Sequence, residues 1–210
     1  ITVSLADVNA ANAAVTAIGC TTTGIESGQV VTLVVSDADP ATPDVMVTVI
    51  INADGSYSTT ANLSGLTDGP LTVSAAVMDG GGKRAPENGT ASLDTSAGIT
   101  VSLPDVNAAN VAATPISGMT TGIESGRTIT LVVSDGDSAT PNVTVTATVN
   151  PDGSYSTTAD LSGLTDGPLS VTATVTDAAG NPATANAMAA LDTSAGMTVS
   201  LADVNAANVV

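Results

Sequence analysis

The residues of this chain best suited to chemistry are acidic and amide side chains gathered in turns. Asp105-Val-Asn107-Ala-Ala-Asn110, Asp135-Gly-Asp137 and Asp177-Ala-Ala-Gly-Asn181 occupy three separate segments, with Asp94 a short distance ahead of the first. Carboxylate and amide oxygens are the donors a hard cation takes, about six to eight at a time for Ca2+. Carboxylates gathered without a basic partner would otherwise repel one another. If these segments are loops of a β-sandwich, they are expected to converge at the end where the chain enters, and Ca2+ is the cofactor they suit. None of them is an EF-hand loop. Asp54, Asp68, Asp152 and Asp166 each precede a glycine, and are read instead as turn residues bonding their own backbone.

The elements that position these loops are repeated. Ile1-Thr-Val-Ser-Leu5 returns as Ile99-Thr-Val-Ser-Leu103 and as Met197-Thr-Val-Ser-Leu201, a period of 98 residues. That is too long for a solenoid unit and about the size of one small all-β domain. The expected organisation is therefore repeat one at 1–98, repeat two at 99–196 and the start of a third at 197–210. In repeat one Asp79-Gly-Gly-Gly-Lys83-Arg84 stands where repeat two has Asp177-Ala-Ala-Gly-Asn181-Pro182. Two cations thus replace an amide, so either Asp79 alone contributes there or that end binds metal less well.

Comparing the copies separates strand faces. Val45, Val47, Val49 and Ile51 become Val143, Val145, Ala147 and Val149, while Met46, Thr48 and Ile50 become Thr144, Thr146 and Thr148. One face stays apolar as the other drifts to threonine, the period-two pattern of a half-buried strand. Leu71, Val73, Ala75 and Val77 recur as Leu169, Val171, Ala173 and Val175, and Val31, Leu33 and Val35 as Ile129, Leu131 and Val133. Asp54-Gly55 and Asp152-Gly153 fall between strands and predict hairpins. About seven short strands per repeat and no helical period indicate an all-β chain of tandem immunoglobulin-like sandwiches. The junctions, Leu93-Asp-Thr-Ser-Ala-Gly98 and Leu191-Asp-Thr-Ser-Ala-Gly196, hold no flexible Gly/Ser tract, which predicts an extended, semi-rigid rod.

Composition removes several functions. The chain of 210 residues carries 20 acidic side chains against Lys83, Arg84 and Arg127, a net charge of −17, which disfavours nucleic acid and anionic membrane surfaces. No apolar run approaches the ~18 residues of a membrane span. It begins with neither Met nor a signal peptide, as expected of a piece of a longer chain. There is no His, and the lone Cys20 faces Gly118 in the second copy. A shared catalytic thiol, an intramolecular disulfide and a small-molecule substrate site are not expected, and the chain reads as non-enzymatic. With only Tyr57 and Tyr155 as aromatics, the cores should be thin.

Asp-Val-Asn-Ala-Ala-Asn, Thr-Thr-Gly-Ile-Glu-Ser-Gly, Asp-Gly-Ser-Tyr, Asp-Ala-Ala-Gly-Asn and Leu-Asp-Thr-Ser-Ala, in that order, resemble the bacterial immunoglobulin-like repeats of giant biofilm and repeats-in-toxin adhesins. The resemblance implies export by type I secretion, an extracellular location at the bacterial surface, and a role as Ca2+-stiffened extender holding a distal binding domain away from the cell. Its partners would be neighbouring repeats of the same chain. It also implies metal ligands at Asp94 and Asp192, at Asp7, Asp105 and Asp203 with Asn9, Asn107 and Asn205, and at Asp177 with Asn181. The family often has Glu where Asn12, Asn110 and Asn208 stand, and Lys83 departs from its pattern. The alternative function is an adhesive module that itself touches glycan, ice or another cell, for which the outward Thr144, Thr146 and Thr148 row is the relevant feature.

Overall fold

The computed structural model describes residues 1–200. The remainder of the third copy, with Asp203, Asn205 and Asn208, lies outside the described residues.

The first copy contains β1 (Ser4–Leu5), β2 (Val8–Asn9), β3 (Thr16–Thr21), β4 (Val30–Ser36), β5 (Val45–Ile50), β6 (Ser56–Ala61), β7 (Gly69–Met78) and β8 (Arg84–Asp94). The second contains β9 (Gly98–Ile99), β10 (Val106–Asn107), β11 (Thr114–Thr121), β12 (Thr128–Ser134), β13 (Val143–Thr148), β14 (Ser154–Ala159), β15 (Gly167–Thr176) and β16 (Pro182–Asp192). Each copy is a sandwich of one three-stranded and one five-stranded sheet, ordered β1-β3-β6 over β2-β8-β7-β4-β5 and β9-β11-β14 over β10-β16-β15-β12-β13. Pairing is antiparallel except where β2 joins β8 and β10 joins β16 in parallel.

The alternating apolar residues explain the packing. Leu71, Val73, Ala75 and Val77 of β7 and their counterparts on β15 are buried, as are Val31, Leu33 and Val35 of β4 and their counterparts on β12. They belong to two hydrophobic clusters, one built from residues of the first copy and one from the second. Thr144, Thr146 and Thr148 face outward and are exposed. In the first copy the same outward face carries exposed Met46 and Ile50.

The Asp-Gly hairpins predicted from sequence are not hairpins. The turn at Asn52–Ser56 closes locally, with Ser56 accepting from the Asn52 N–H at 2.8 Å and Asn52 from the Gly55 N–H at 3.0 Å. Yet β5 pairs with β4 whereas β6 pairs with β3, so the turn carries the chain from one sheet to the other. Ile51 and Tyr57 on either side both go into the core between the sheets, and burying both draws the two strands apart. The second copy repeats this arch at Asn150–Ser154.

The two tyrosines close the three-stranded sheets. The Tyr155 hydroxyl donates to the Thr100 carbonyl at 2.6 Å, and Tyr57 makes the equivalent bond to Thr2. A Cβ on Gly118 would overlap the same Thr100 carbonyl and the Tyr155 ring, so the second copy packs closely here without a side chain, whereas the first accommodates a half-buried Cys20 beside the equivalent bond. Burial pushes both phenols up from 10.0 to about 12. A group whose pKa is raised on folding holds its proton more tightly in the native state, so its stabilisation is complete below pH 10.0 and is lost as pH rises toward about 12. Alkaline unfolding is therefore expected in that window, coincident with the appearance of tyrosinate absorbance. Tyrosinate appearing with the fold intact near the ordinary phenol value would contradict it.

Among the described residues, no helix is long and apolar enough to cross a membrane.

Candidate functional site

The two ends of β16 determine where the acidic groups go. Its eleven residues run from Pro182 to Asp192, so the Asp177–Asn181 loop ahead of it and Asp192 at its close sit at opposite ends of the second sandwich. Asp192 registers beside Asn107 in the parallel β10–β16 pair, and Asp105 accepts from the Ala190 N–H at 2.9 Å. Asp135 belongs to that same far end, accepting from the Thr165 N–H at 2.8 Å and from the Asp137 N–H at 3.0 Å, while Asp137 accepts from Ala139 at 2.8 Å. The single convergence of Asp105, Asp135, Asp137 and Asp177 expected from sequence is therefore corrected. The first three gather at one end and Asp177 lies at the other.

The loop that Asp177 closes instead meets the preceding repeat through Asn181 and Ala179. Asn181 donates its side-chain N–H to the Asp94 carbonyl at 2.8 Å and accepts from the Ala10 N–H at 2.9 Å. Asn9 donates to the Ala179 carbonyl at 2.8 Å. Within the loop, Asp177 accepts from the Asn181 backbone N–H at 2.7 Å through one oxygen and from the Asn181 side chain at 2.7 Å through the other. Asp177 and Asn181 are 2 % and 3 % exposed, so this is a buried polar network with every one of its side-chain atoms partnered among the described residues. Burial pushes the Asp177 carboxyl up, but hydrogen bonds from the Asn181 side chain and from the Asn181, Gly180 and Ala179 backbone outweigh it and hold the group below 3.8.

Residues not read from sequence as site residues brace the ends of the sandwiches, at the joint and at the equivalent positions. Glu124 accepts from the Ala178 N–H at 2.9 Å and so supports the Asp177 loop from below; Glu26 does the same for Gly80 in the first copy at 2.8 Å. Asp68 accepts from the Thr95 N–H at 3.0 Å and the Thr95 hydroxyl at 2.8 Å, and Asp166 does so from Thr193. Asp68 and Asp166 thus grip the segment leaving each sandwich and are not self-contained turn residues. Asp54 and Asp152 are, bonding Ser56 and Ser154 two positions on. The signal for the bracing residues was their recurrence in both copies, in Ile-Glu-Ser-Gly and Thr-Asp-Gly-Pro.

The remaining candidates take local roles. Asp7 accepts from the Ser92 N–H at 2.8 Å, Asn9 and Asn107 from Ala11 and Ala109, and Asp94 and Asp192 from Ser96 and Ser194. Asp79 accepts from Gly81 and Lys83 backbone N–H groups at 3.0 and 2.7 Å. Among the described residues, no group of three or more acidic or cysteine side chains is placed to hold a metal ion. The donors at the joint are all oxygen, as a hard cation requires, but Asp94 and Asp177 are its only two carboxylates from the candidate set, and both oxygens of Asp177 already accept hydrogen bonds. An ion there would complete its shell with backbone carbonyls and water.

Fold and joint together define a tandem array of immunoglobulin-like sandwiches whose ends interlock. The chain is similar in fold to a structure described as showing host cell surface retention of a 1.5-MDa bacterial ice-binding adhesin, at 22 % identity and a TM-score of 0.50, covering 92 % of this chain and 65 % of that one. It is also similar to a tetra-tandem repeat in the extending region of a large adhesion protein, at 32 % identity and a TM-score of 0.46, covering 91 % of this chain and 49 % of that one. The chain thus spans about half the length of one and just under two thirds of the other. No family model and no curated protein matches the chain.

Proposed function

We propose that this chain is a non-catalytic extender segment of a large bacterial surface adhesin, acting outside the cell to hold a distal binding domain at a distance. The interlocked joint between the two sandwiches carries this reading, since a spacer needs repeats that transmit force and direction from one to the next. The linker supports it. Asp68 grips Thr95, Asp94 accepts from Ser96, and Gly98–Ile99 pairs directly with Thr120–Thr121 of β11. No stretch of the junction is left to swing freely between the two bodies.

Ca2+ stiffening is the finer part of the proposal, with Asp94, Asp177 and Asn9 as the residues to hold the ion at the joint. A metal that binds only the docked form stabilises it by about 2.7 kcal/mol at 100 times its Kd. Scattering of the 210-residue chain tests both parts. A maximum dimension fitting two sandwiches end to end supports the extender, and one fitting a side-by-side pair overturns it. A melting temperature raised by millimolar Ca2+ and lowered by EDTA supports the ion, and one indifferent to both removes it while leaving the rod.

A further inference from the structure

The two copies carry the same docking face but different loops to meet it, and the difference points to a rule for which joints lock. The docking face of the first sandwich consists of Asn9, Ala10 and Asp94, brought together because β2 pairs with the end of β8 in the register Asn9↔Asp94. The second sandwich builds the same face from Asn107, Ala108 and Asp192, in the register Asn107↔Asp192. The internal geometry also repeats. The Asn9 N–H donates to Asn12 at 2.8 Å and the Asn107 N–H to Asn110 at 2.7 Å, which fixes both turns in one conformation. Only the first face is covered by a following sandwich among the described residues. Asn9 and Asp94 are half-buried beneath the 177–181 loop, whereas Asn107 and Asp192 are exposed.

The complementary part is the loop, and here the copies diverge in chemistry. Asn181 uses its amide in both directions, accepting from Ala10 and donating to Asp94. Lys83, its counterpart, is exposed and offers only donors. It can answer a carbonyl but cannot accept from a backbone N–H at the Ala10 position. Its backbone loop is nonetheless the same, closed by Asp79 accepting from the Lys83 N–H as Asp177 does from Asn181.

We propose that the Asn107–Ala108–Asp192 face is a docking surface for a loop of the form Asp-x-x-x-Asn from a further repeat, and that the residue at the Asn181 position decides whether a joint locks. A repeat bearing asparagine there closes the joint through protein groups, and a bound ion adds to a lock already made. A repeat bearing lysine leaves a hinge, so an array of such repeats is stiff or jointed according to one side chain per repeat. This rests on the extender reading for its purpose but not for its geometry.

The test uses the whole chain with a spin label in each sandwich and measures the interdomain distance distribution in EDTA. The unchanged protein should give one narrow distance. Asn181→Lys should broaden it, with the open-to-closed ratio rising about fivefold for each hydrogen bond lost, while both sandwiches remain folded by calorimetry. Asn9→Asp attacks the joint from the other side, keeping the acceptor used by Ala11 and removing the donor to Ala179. It should broaden the distribution even if Asn181→Lys unfolds its own loop. A narrow distribution in both variants overturns the lock. An unchanged protein that is broad in EDTA and narrow in Ca2+ overturns it too but preserves the extender reading, whereas breadth in both conditions defeats both.

Discussion

Replacing Leu131 by alanine should split thermal unfolding into two transitions, the lower belonging to the second sandwich. Leu131 is fully buried in β12, between Val145 of β13 and Ala173 of β15. Truncating such a residue costs about 2–5 kcal/mol, because transfer energy is lost and a cavity remains. The one ring of that core, Tyr155, is tied through its hydroxyl to the Thr100 carbonyl and is not free to swing into the gap. Against a domain stability of about 5–15 kcal/mol the loss is severe, and for a unit of this size it corresponds to a fall of about 10 °C or more. The first sandwich has its own cluster, from Leu5 to Leu93, so its transition should move little. Leu33→Ala should reverse the pattern. Differential scanning calorimetry reads both, and a single transition shifted as a unit in each variant would mean the sandwiches fold as one body.

How far the sequence could be read follows from what its period encodes. Alternation reports which side of a strand is buried, and the copies confirmed it for one another: every residue of the Leu71 and Leu169 stripes lies inside. It carries no information on which sheet a strand joins, so the turn at Asp54-Gly55 was readable as a turn but not as an arch between sheets. The same blindness placed Asp105 with Asp177. Eleven residues of extended chain separate the loop at 177–181 from Asp192, a span of roughly 35 Å at about 3.3 Å per residue. Groups attached to opposite ends of one strand cannot meet within a repeat. They approach only across a joint, where the end of one sandwich faces the start of the next. Asp94 and Asp177 come to one joint that way, linked through the Asn181 amide, which donates to the Asp94 carbonyl and to the Asp177 carboxylate, and the sequence had already placed both in the candidate set. Asn181 was legible as an oxygen donor, but its double use as donor and acceptor depends on Ala10, whose contribution is a backbone N–H that no side-chain pattern records.

Asp177→Asn is the second large effect expected, and it separates a charged role from a merely polar one. The substitution preserves shape, yet it places an amide where both oxygens now accept from Asn181. Whichever way the new amide turns, one N–H faces another donor. Hydrogen bonds to a charged group contribute about 1.5–3 kcal/mol each, and a buried donor left facing a donor cannot recover that from water. Urea unfolding at neutral pH should therefore show the second sandwich weakened by about 1.5–3 kcal/mol. The pH dependence has a definite sign. The carboxyl sits below 3.8 in the folded chain, so the folded state releases its proton more readily than the unfolded one. Its stabilisation is complete above that ordinary value and disappears as pH falls through the depressed one. The variant has nothing to titrate at this position, and the exposed carboxylates common to both proteins cancel in the comparison. The difference between wild type and variant should thus hold steady down to about pH 4 and then narrow in acid. A difference that stays constant through the acid range would show that charge at Asp177 contributes nothing to the joint.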